Sequence, residues 1–313
     1  MERLDSSAAL PAHLRGGVIA LGNFDGFHRG HQAVVGTAVA EARARGVPAV
    51  VATFDPHPAR FFKPESEPFT LTTLDQRERL FAAAGADAML VIRFDAEMAA
   101  KTAEAFVNDH LVARAGAAMV VTGEDFTFGR GRSGTVDSMR VLGAAAGFAA
   151  AAVSPVADGA GTISSSRIRA ALRDGDCGEA ARLLTRPFAI EGAVEHGAKL
   201  GRTIGYPTAN VALGAYLRPR YGIYAVRGRL PDGRVLEGAA NLGIRPTFDP
   251  PIELLEAFFF DFAGDLYGQT IAVEFVAYLR PEAKFDGLDA LVAQMDKDCA
   301  AARAILAAPA PLA

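Results

Sequence analysis

The strongest constraint on the fold is the ten-residue segment at positions 22–31, which reads GNFDGFHRGH. An apolar run, VIAL, comes before it at 18–21, and residues 32–45 follow with apolar side chains at helical spacing. The segment is therefore predicted to be a turn between a buried strand and a helix. Glycines in such a turn let the backbone approach a phosphate, and the N–H groups of the helix N-terminus point at it.

Two histidines, His28 and His31, stand three positions apart at the predicted start of this helix. Their ring N–H groups add side-chain donors to those of the backbone. No cysteine or group of carboxylates stands near them in sequence to complete a zinc site. The segment therefore favours a phosphate-binding site, and the alternative is a glycine turn that carries two surface histidines.

Strand and helix patterns alternate through the first half, which predicts an α/β domain with a parallel sheet and helices on both faces. The predicted strands are 18–21, 49–54, 88–94, 118–122 and 148–153. Unusual loops follow Leu21, Phe54 and Thr122. Ligands of parallel sheets bind at the carboxyl ends of the strands, so we expect these three loops to converge on one edge.

Two later segments carry arginines in settings that suit an anion. Residues 123–134, GEDFTFGRGRSG, contain GxGxxG, but these glycines do not join a strand directly to a helix, so a dinucleotide fingerprint is not predicted. A mobile loop over phosphates and an ordinary solvated loop both remain open. In 163–169, ISSSRIR, serines cap a predicted helix with Arg167 and Arg169 in its first turn. Positive charge there opposes the helix dipole, which points to a bound anion, and solvated arginines are the alternative.

The pattern changes after residue 185, which predicts two domains, 1–185 and 186–313. Strands are predicted at 188–195, 223–230, 235–242, 253–262 and 270–279, with a hairpin turn at 231–233. Many antiparallel strands with short turns predict a small antiparallel β-barrel. A terminal amphipathic helix is predicted at 288–306, with its apolar face on the barrel.

Residues 196–210, HGAKLGRTIGYPTAN, form the loop of the second half that is richest in chemistry. No GxxxxGK[ST] motif occurs in the chain, so a kinase here is not a P-loop kinase. Lys199 and Arg202 suit phosphate oxygens. Thr208 and Asn210 lie on one side of an extended segment and supply oxygen ligands of the kind that Mg²⁺ prefers. A polar turn between strands is the alternative.

Glu256 is the single carboxylate on a predicted strand face that also holds Leu254, Phe258, Phe260 and Phe262. The opposite face of this strand is apolar too, so the pattern does not decide which face is buried. A charge buried among such side chains is unfavourable unless it is paired or used in chemistry. Glu256 is therefore a candidate general base, and a rim glutamate or a structural ion pair is the alternative.

Composition narrows the classes of function. The 313 residues carry a net charge of −4 without a block of Lys and Arg, which argues against a nucleic-acid-binding protein. Cys177 and Cys299 stand far apart, which is typical of a reducing compartment. Neither a signal peptide nor an apolar run long enough to span a bilayer is apparent. We expect a cytoplasmic protein without a membrane or nucleic-acid partner, as a monomer or weak homo-oligomer.

Two sets of motifs resemble one bacterial family, the bifunctional riboflavin kinase/FAD synthetases. Its adenylyltransferase module is similar to GNFDGFHRGH, TFDPHP, GEDFTFGRGRSG and ISSSRIR, in this order. Its riboflavin kinase module is similar to GRTIGYPTAN, YGIYAV, NLGIRPTF, the Glu256 strand and DLYG. The resemblance implies a Rossmann-like nucleotidyltransferase domain followed by the kinase barrel. It also implies that ATP with Mg²⁺ converts riboflavin to FMN, and that ATP and FMN then give FAD and pyrophosphate.

The resemblance also implies roles for individual residues. Glu256 is the expected kinase base, and His28, His31 and Arg167 are expected to act in adenylyl transfer. ATP-binding positions are expected at Gly22, Phe24, Gly26, Gly30, Ser164, Ser165, Gly201, Arg202, Pro207, Thr208 and Asn210. Flavin contacts are expected at Pro56, His57, Pro58, Phe62, Asp125 and Phe128, and magnesium ligands at Thr208 and Asn210.

Some positions depart from the family pattern. Ser166 replaces a usual threonine, Ala198 and Leu200 replace residues that are usually charged, and Phe258 replaces a usual histidine. Two other functions remain open at this point. One is a nucleotidyltransferase that acts on pantetheine phosphate or a polar alcohol phosphate, although the PTAN barrel has no place in such a protein. The other is a non-catalytic flavin carrier.

Overall fold

The computed structural model describes residues 1–196, 205–245 and 252–308 of the chain. The chain falls into two compact units. The first comprises Met1–Glu67 and Thr72–Ser165, and the second comprises Pro68–Leu71 and Ser166–Ala313. Residues 166–185 group with the second unit, and the division of the two functions after residue 185 stays a prediction.

A parallel sheet forms the centre of the first unit. Its strands are β1 (Glu2–Asp5), β2 (Val18–Leu21), β3 (Ala49–Asp55), β4 (Ala88–Arg93), β5 (Met119–Gly123) and β6 (Ala149–Val153). In the described part of the chain these six strands lie in the order β1-β4-β3-β2-β5-β6, and every neighbouring pair is parallel. The predicted parallel sheet is confirmed. No sequence pattern predicts β1, because ERLD is short, polar and mostly exposed.

The strand order explains why the three unusual loops belong together. β3, β2 and β5 are neighbours in the sheet and run in one direction. Their carboxyl ends therefore reach one edge, which is where ligands of such sheets bind. The loops that begin after Leu21, Asp55 and Gly123 start at this edge.

Helices cover both faces of this sheet. They are α1 (Arg29–Arg45), α2 (Pro58–Phe62), α3 (Leu74–Ala83), α4 (Ala96–Ala100), α5 (Ala103–Phe106) and α6 (Val136–Ala146). Successive residues of β2 alternate between two apolar clusters, with Val18 and Ala20 in one and Ile19 and Leu21 in the other. Because strand side chains alternate between faces, each face of the sheet has its own core.

The second unit contains a closed barrel. Two short strands, β7 (Ala157–Asp158) and β8 (Gly161–Thr162), and two helices, α7 (Ser165–Asp174) and α8 (Cys177–Leu184), precede it along the chain. The barrel strands are β9 (Phe188–Glu195), β10 (Thr208–Val211), β11 (Gly222–Arg229), β12 (Val235–Arg245), β13 (Ile252–Phe259) and β14 (Thr270–Arg280). Among described residues these six strands close in the order β10-β13-β12-β11-β14-β9. The predicted antiparallel barrel is confirmed.

The terminal helix α9 (Leu288–Leu306) has the predicted bounds, and its Ala302 and Leu306 are buried against the barrel. Two details of the prediction are wrong. β13 ends at Phe259, so Phe262 lies beyond the strand, after Asp261 turns the backbone at φ 54°. Leu288, which belongs to the predicted apolar face of α9, is 54% exposed and lines a cavity.

A buried histidine lies in an unusual helical segment. α5 continues as a π-helical stretch, Val107–Arg114, in which His110 is 4% exposed and its ring stacks on Phe106 at 5.5 Å. Burial lowers the pKa of His110 to about 4, and the positive charges of Arg114 and Lys101 act in the same direction. The imidazole is therefore neutral in the folded protein at pH 7.

We predict that this histidine makes the first unit sensitive to mild acid. The unfolded chain titrates near the ordinary value of 6.5, so between about 6.5 and about 4 only the unfolded state takes up the proton. Stability should fall as the pH is lowered through this window. Urea denaturation at pH 7 and pH 5 should show a larger loss for the wild type than for His110→Gln, and equal losses would contradict the prediction.

Candidate active sites

The predicted phosphate turn is built around its two histidines. His28 is the N-cap of α1, and its Nδ1 accepts the backbone N–H of His31 at 3.4 Å. The two rings stack with centroids 3.7 Å apart, and His28 is 5% exposed. A Cβ on Gly30 would lie 3.1 Å from the His28 ring, so a larger residue there would displace it. The turn thus orders the imidazoles at the N-terminus of a helix, a position that favours anions.

Phe24 anchors the turn in the core. Its side chain is 2% exposed and meets Phe81 and His31 edge-on, at 5.7 and 5.4 Å between ring centroids. A Cβ on Gly22 would lie 3.0 Å from the Phe24 ring, which explains the glycine at that position. The Phe24 side chain is therefore structural, and any contact of this residue with ATP comes from its backbone.

Polar groups hold the turn from beneath. The buried carboxylate of Asp25 accepts the backbone N–H of Thr72 at 3.0 Å, and the Thr72 hydroxyl accepts the N–H of Gly26 at 2.9 Å. Arg77, 4% exposed, donates to the carbonyl of Asn23 at 3.2 Å and to that of Thr72 at 3.3 Å. Burial lowers the pKa of Arg77, although the charge of Asp25 opposes this effect. The turn is thus tied to α3 by buried hydrogen bonds.

The ISSSRIR segment contacts the phosphate turn. Ser165 donates to the carbonyl oxygen of Asp25 at 2.8 Å. A Cβ on Gly30 would also lie 3.5 Å from the carbonyl oxygen of Ile163. Two motifs that are far apart in sequence therefore form one surface around α1, as expected if both contribute to one site. Ser164 lies between these contacts and is half-buried.

Arg167 has a partner within the second unit. Its Nη2 lies 2.5 Å from Oε1 of Glu179, and about a fifth of each side chain is exposed. Glu179 also receives hydrogen bonds from Arg182, and these two arginines lower the pKa of Glu179. The Glu179 carboxylate therefore provides negative charge near the start of α7, where the sequence predicted a bound anion.

The predicted flavin contacts fall into two groups. Phe62 is 65% exposed and stands edge-on to Phe61 and Phe94, so one face of its ring is open. Phe128 is 6% exposed and packs on Phe106 at 5.6 Å, which places it in the core. The remaining positions are half-buried or exposed and lie beside α2 or after β5, namely Pro56, His57, Pro58 and Asp125.

The glycine loop after β5 has a fixed base. Phe128 and Gly134 exchange two backbone hydrogen bonds, of 3.0 and 2.9 Å, and Arg130 N–H donates to the carbonyl of Lys101 at 2.7 Å. Arg130 and Arg132 are exposed. The arginines are therefore carried on a short closed loop whose ends are pinned to the body of the unit.

The strand register of the barrel places Glu256 in a row of polar groups. On β13, Glu256 lies opposite Asn210 of β10 on one side and Asn241 of β12 on the other. Cross-strand partners project from the same face of a sheet. Asn210 is 8% exposed, and the next position on its face, Thr208, lies opposite Phe258. The sequence prediction that Glu256, Thr208 and Asn210 belong to one site is consistent with this register.

A cavity of about 620 Å³ opens over this face of the barrel. Glu256, Thr208 and Asn241 line it together with apolar side chains from β13 and α9, such as Phe258 and Leu291. The inward-facing residues of β13, Leu255 and Ala257, are completely buried. The face of Glu256 is therefore the outer one, covered by α9, which settles the choice that the sequence left open.

A second cavity, of about 310 Å³, is also lined by Thr208. Pro207 and Tyr267 line it, and the Tyr267 ring lies 3.9 Å from that of His196. Thr208 contributes to both cavities. The predicted ATP-binding residues Gly201 and Arg202 lie outside the described residues.

Ion pairs and hydrogen bonds connect α9 to the barrel beside the larger cavity. Arg280 donates to both carboxylate oxygens of Asp298, at 2.6 to 3.1 Å, and Gln294 donates to the same carboxylate at 2.9 Å. The Tyr206 hydroxyl donates to Asp296, and this bond raises the pKa of Tyr206 to about 12. These contacts fix the distance between the barrel face and the helix.

Comparisons with known proteins agree with both halves of the structure. The FAD synthetase family model matches residues 10–167, and the riboflavin kinase family model matches residues 184–306. The bifunctional riboflavin kinase/FMN adenylyltransferase of Escherichia coli K12 is 41% identical over 92% of this chain and 92% of its own length. The chain belongs to this bifunctional family. The family member of Bacillus subtilis is 38% identical over 90% of each chain.

A solved structure matches nearly the whole chain. A Streptococcus pneumoniae protein named as a macrolide-efflux protein is 33% identical, with a TM-score of 0.84 over 95% of this chain and 97% of its own.

None of the helices in the described ranges combines the length and the apolar character needed to cross a membrane.

Several residues of these sites are not predicted from the sequence. Arg77 lies in α3, a helix without a clear apolar period, and Thr72 lies just before the N-cap of that helix. Thr73 and Gln76 form a capping box, and its T-x-x-Q signature is visible in the sequence. Asn241 carries no local signal. Only the pairing of β12 with β13 places it beside Glu256.

We predict that Arg77→Met slows FAD formation without affecting FMN formation. The guanidinium fixes the carbonyl groups of the phosphate turn, and a small shift of such a turn lowers the rate of transfer by about 10- to 100-fold. Steady-state assays of each reaction measure the effect. Arg79→Met, an exposed neighbour on α3, is the matched control and should leave both rates unchanged. Equal loss in both variants would contradict the assignment.

Proposed function

We propose that this protein carries its two activities at separate sites, riboflavin phosphorylation at the barrel face and adenylyl transfer at the edge of the parallel sheet. As a bifunctional riboflavin kinase/FMN adenylyltransferase, it converts riboflavin and ATP to FMN and ADP, and FMN and ATP to FAD and pyrophosphate. The observation that carries the kinase assignment is the register of Glu256 between Asn210 and Asn241 beside a large cavity.

In the kinase reaction, Glu256 accepts the proton of the terminal hydroxyl of riboflavin as that oxygen attacks the γ-phosphate. ADP leaves in line with the new bond. Thr208 lines both cavities, which suits a group that contacts the transferred phosphate. We therefore assign the larger, mostly apolar cavity to the flavin and the smaller one, beside Pro207 and Tyr267, to the nucleotide.

The residues around Thr208 fit Mg²⁺. Its hydroxyl and the nearly buried side chain of Asn210 offer uncharged oxygens next to the Glu256 carboxylate, and Mg²⁺ takes oxygen ligands and completes its shell with phosphates and water. Such an ion neutralises charge that develops on the phosphates. Gly201 and Arg202 are further candidates for contacts with ATP.

In adenylyl transfer, an oxygen of the FMN phosphate attacks the α-phosphate of ATP, and pyrophosphate leaves. The attacking group is already an anion, so the protein needs no strong base and instead stabilises charge at the α-phosphate. His28, His31 and the N–H groups at the start of α1 are suited to this task. Gly22, Gly26, Gly30 and the serines of ISSSRIR complete the proposed ATP site, and Arg167 is proposed to act on the phosphates.

The flavin ring of FMN is proposed to lie near Phe62 and the segment Pro56–Pro58. Flat apolar groups stack on an isoalloxazine, and the open face of Phe62 is suited to this. Asp125 is a candidate for a polar group of the flavin. Phe128 supports this region from the core.

We further propose a cytoplasmic location, since both cysteines are unpaired, and a monomer or weak homo-oligomer without nucleic-acid or membrane partners. Efflux is not the function proposed for this protein, because the family models of both halves and the curated relatives agree on flavin chemistry.

We predict that Glu256→Gln lowers the rate of FMN formation by about 100- to 10,000-fold, the range for loss of a general base. Purified protein is supplied with riboflavin, ATP and Mg²⁺, and both flavin products are quantified. Conversion of added FMN to FAD should survive. Glu237→Gln, an exposed carboxylate on β12, is the control. Simultaneous loss of both reactions would argue against separate sites. If the wild type formed no flavin product, the result would instead favour a non-catalytic flavin carrier.

We predict that His28→Ala combined with His31→Ala lowers the rate of FAD formation by at least about 100-fold, because two donors to the transition state are removed. FMN formation should not change. His13→Ala, an exposed histidine of the same unit, is the matched control. An unchanged FAD yield in the double variant would refute the role of the imidazoles.

A further inference from the structure

A carboxylate with no assigned role lies at the larger cavity. Glu282, just after β14, is exposed and lines the cavity. Its side chain lies against Gly243 of β12, where an added Cβ would be 2.1 Å from Oε1. Gly243 has an ordinary strand conformation, so the glycine is not explained by backbone strain. The missing side chain instead makes room for the Glu282 carboxylate.

Asn241 connects the Glu282 carboxylate to Glu256 on the neighbouring strand. Its Nδ2 donates to Oε1 of Glu282 at 3.3 Å. A carboxylate only accepts hydrogen bonds, so the amide group must turn its NH₂ toward Glu282. Asn241 lies directly opposite Glu256, and such partners are about 4.5–5.5 Å apart at their Cα atoms. Glu282 is therefore held one strand away from the proposed base.

The charge of the cavity favours a neutral ligand rich in hydroxyl groups. Its charged lining residues are three carboxylates, Glu256, Glu282 and Asp298, and one guanidinium, Arg280, which is bound to Asp298. Within the described part of the chain Glu282 pairs with no cation. Both oxygens of Glu282 keep acceptor capacity, and a carboxylate can accept hydrogen bonds from neighbouring hydroxyls of a sugar chain, as acidic residues do with ribose.

We propose that Glu282, held by Asn241 and seated on Gly243, accepts hydrogen bonds from the secondary hydroxyls of the flavin acceptor and thereby selects a polyhydroxylated side chain. This proposal rests on the assignment of the kinase site. The terminal hydroxyl lies at Glu256, so a group one strand away meets the next hydroxyls along the chain. Glu282 is thus a specificity-determining residue, which contributes to acceptor choice rather than to proton transfer.

The test compares riboflavin with an isoalloxazine whose N10 carries a five-carbon chain with only the terminal hydroxyl. Glu282→Ala should lower kcat/KM for riboflavin by about 10- to 100-fold, the range for loss of a hydrogen bond to a charged group, mainly through KM. It should change kcat/KM for the single-hydroxyl analogue little. In Gly243→Ala the added methyl group displaces the Glu282 carboxylate, so this variant should show the same selective loss.

Control variants distinguish a failure of this proposal from a failure of the kinase-site assignment. Asp286→Ala removes a nearby exposed carboxylate that does not line the cavity, and it should leave both acceptors unaffected. Conversion of FMN to FAD reports that each variant is folded, and Glu282→Gln gives a variant of the same size. Equal losses for the two acceptors, or no loss for riboflavin, would overturn the proposal while leaving the kinase function intact. Retention of FMN formation in Glu256→Gln would instead overturn the site assignment.

Discussion

Polar groups that leave water must find partners inside the protein, and this constraint shapes both units. At the phosphate turn, the Thr72 hydroxyl accepts the N–H of Gly26, Arg77 donates to the carbonyl of Asn23, and the Asp25 carboxylate accepts the N–H of Thr72. At the barrel, half-buried Arg280 donates to the buried carboxylate of Asp298 and connects α9 to the outer face. Such pairs contribute little net stability, but loss of one partner is strongly unfavourable. They therefore act by fixing one arrangement of each site.

The two proposed sites have different chemical tasks. The sheet edge must hold two anions together, and it offers a helix N-terminus and stacked imidazoles. The barrel face must take a neutral alcohol and deprotonate it, and its cavity offers carboxylates instead. Under the proposed assignment, the acid-lined cavity beside Thr208 keeps the attacking alcohol and the bound phosphates in separate electrostatic surroundings.

Sequence patterns succeeded where local physics dominates. The buried strands, the turn at 22–31 and the bounds of α9 follow from apolar spacing and glycines. The failures are elements that depend on neighbours. β1 is a polar edge strand that exists because β4 offers it hydrogen bonds. The end of β13 at Phe259 was misplaced because apolar residues continue past it to Phe262.

The sequence alone determined the family, the two kinds of unit and the candidate groups His28, His31, Thr208, Asn210 and Glu256, because these follow from residue type and spacing along the chain. Tertiary structure decided which groups face each other. Glu179 forms an ion pair with Arg167, Asn241 lies opposite Glu256, and Glu282 accepts a hydrogen bond from Asn241. Strand register and helix packing join residues that are far apart in sequence, and no local pattern encodes such a pairing.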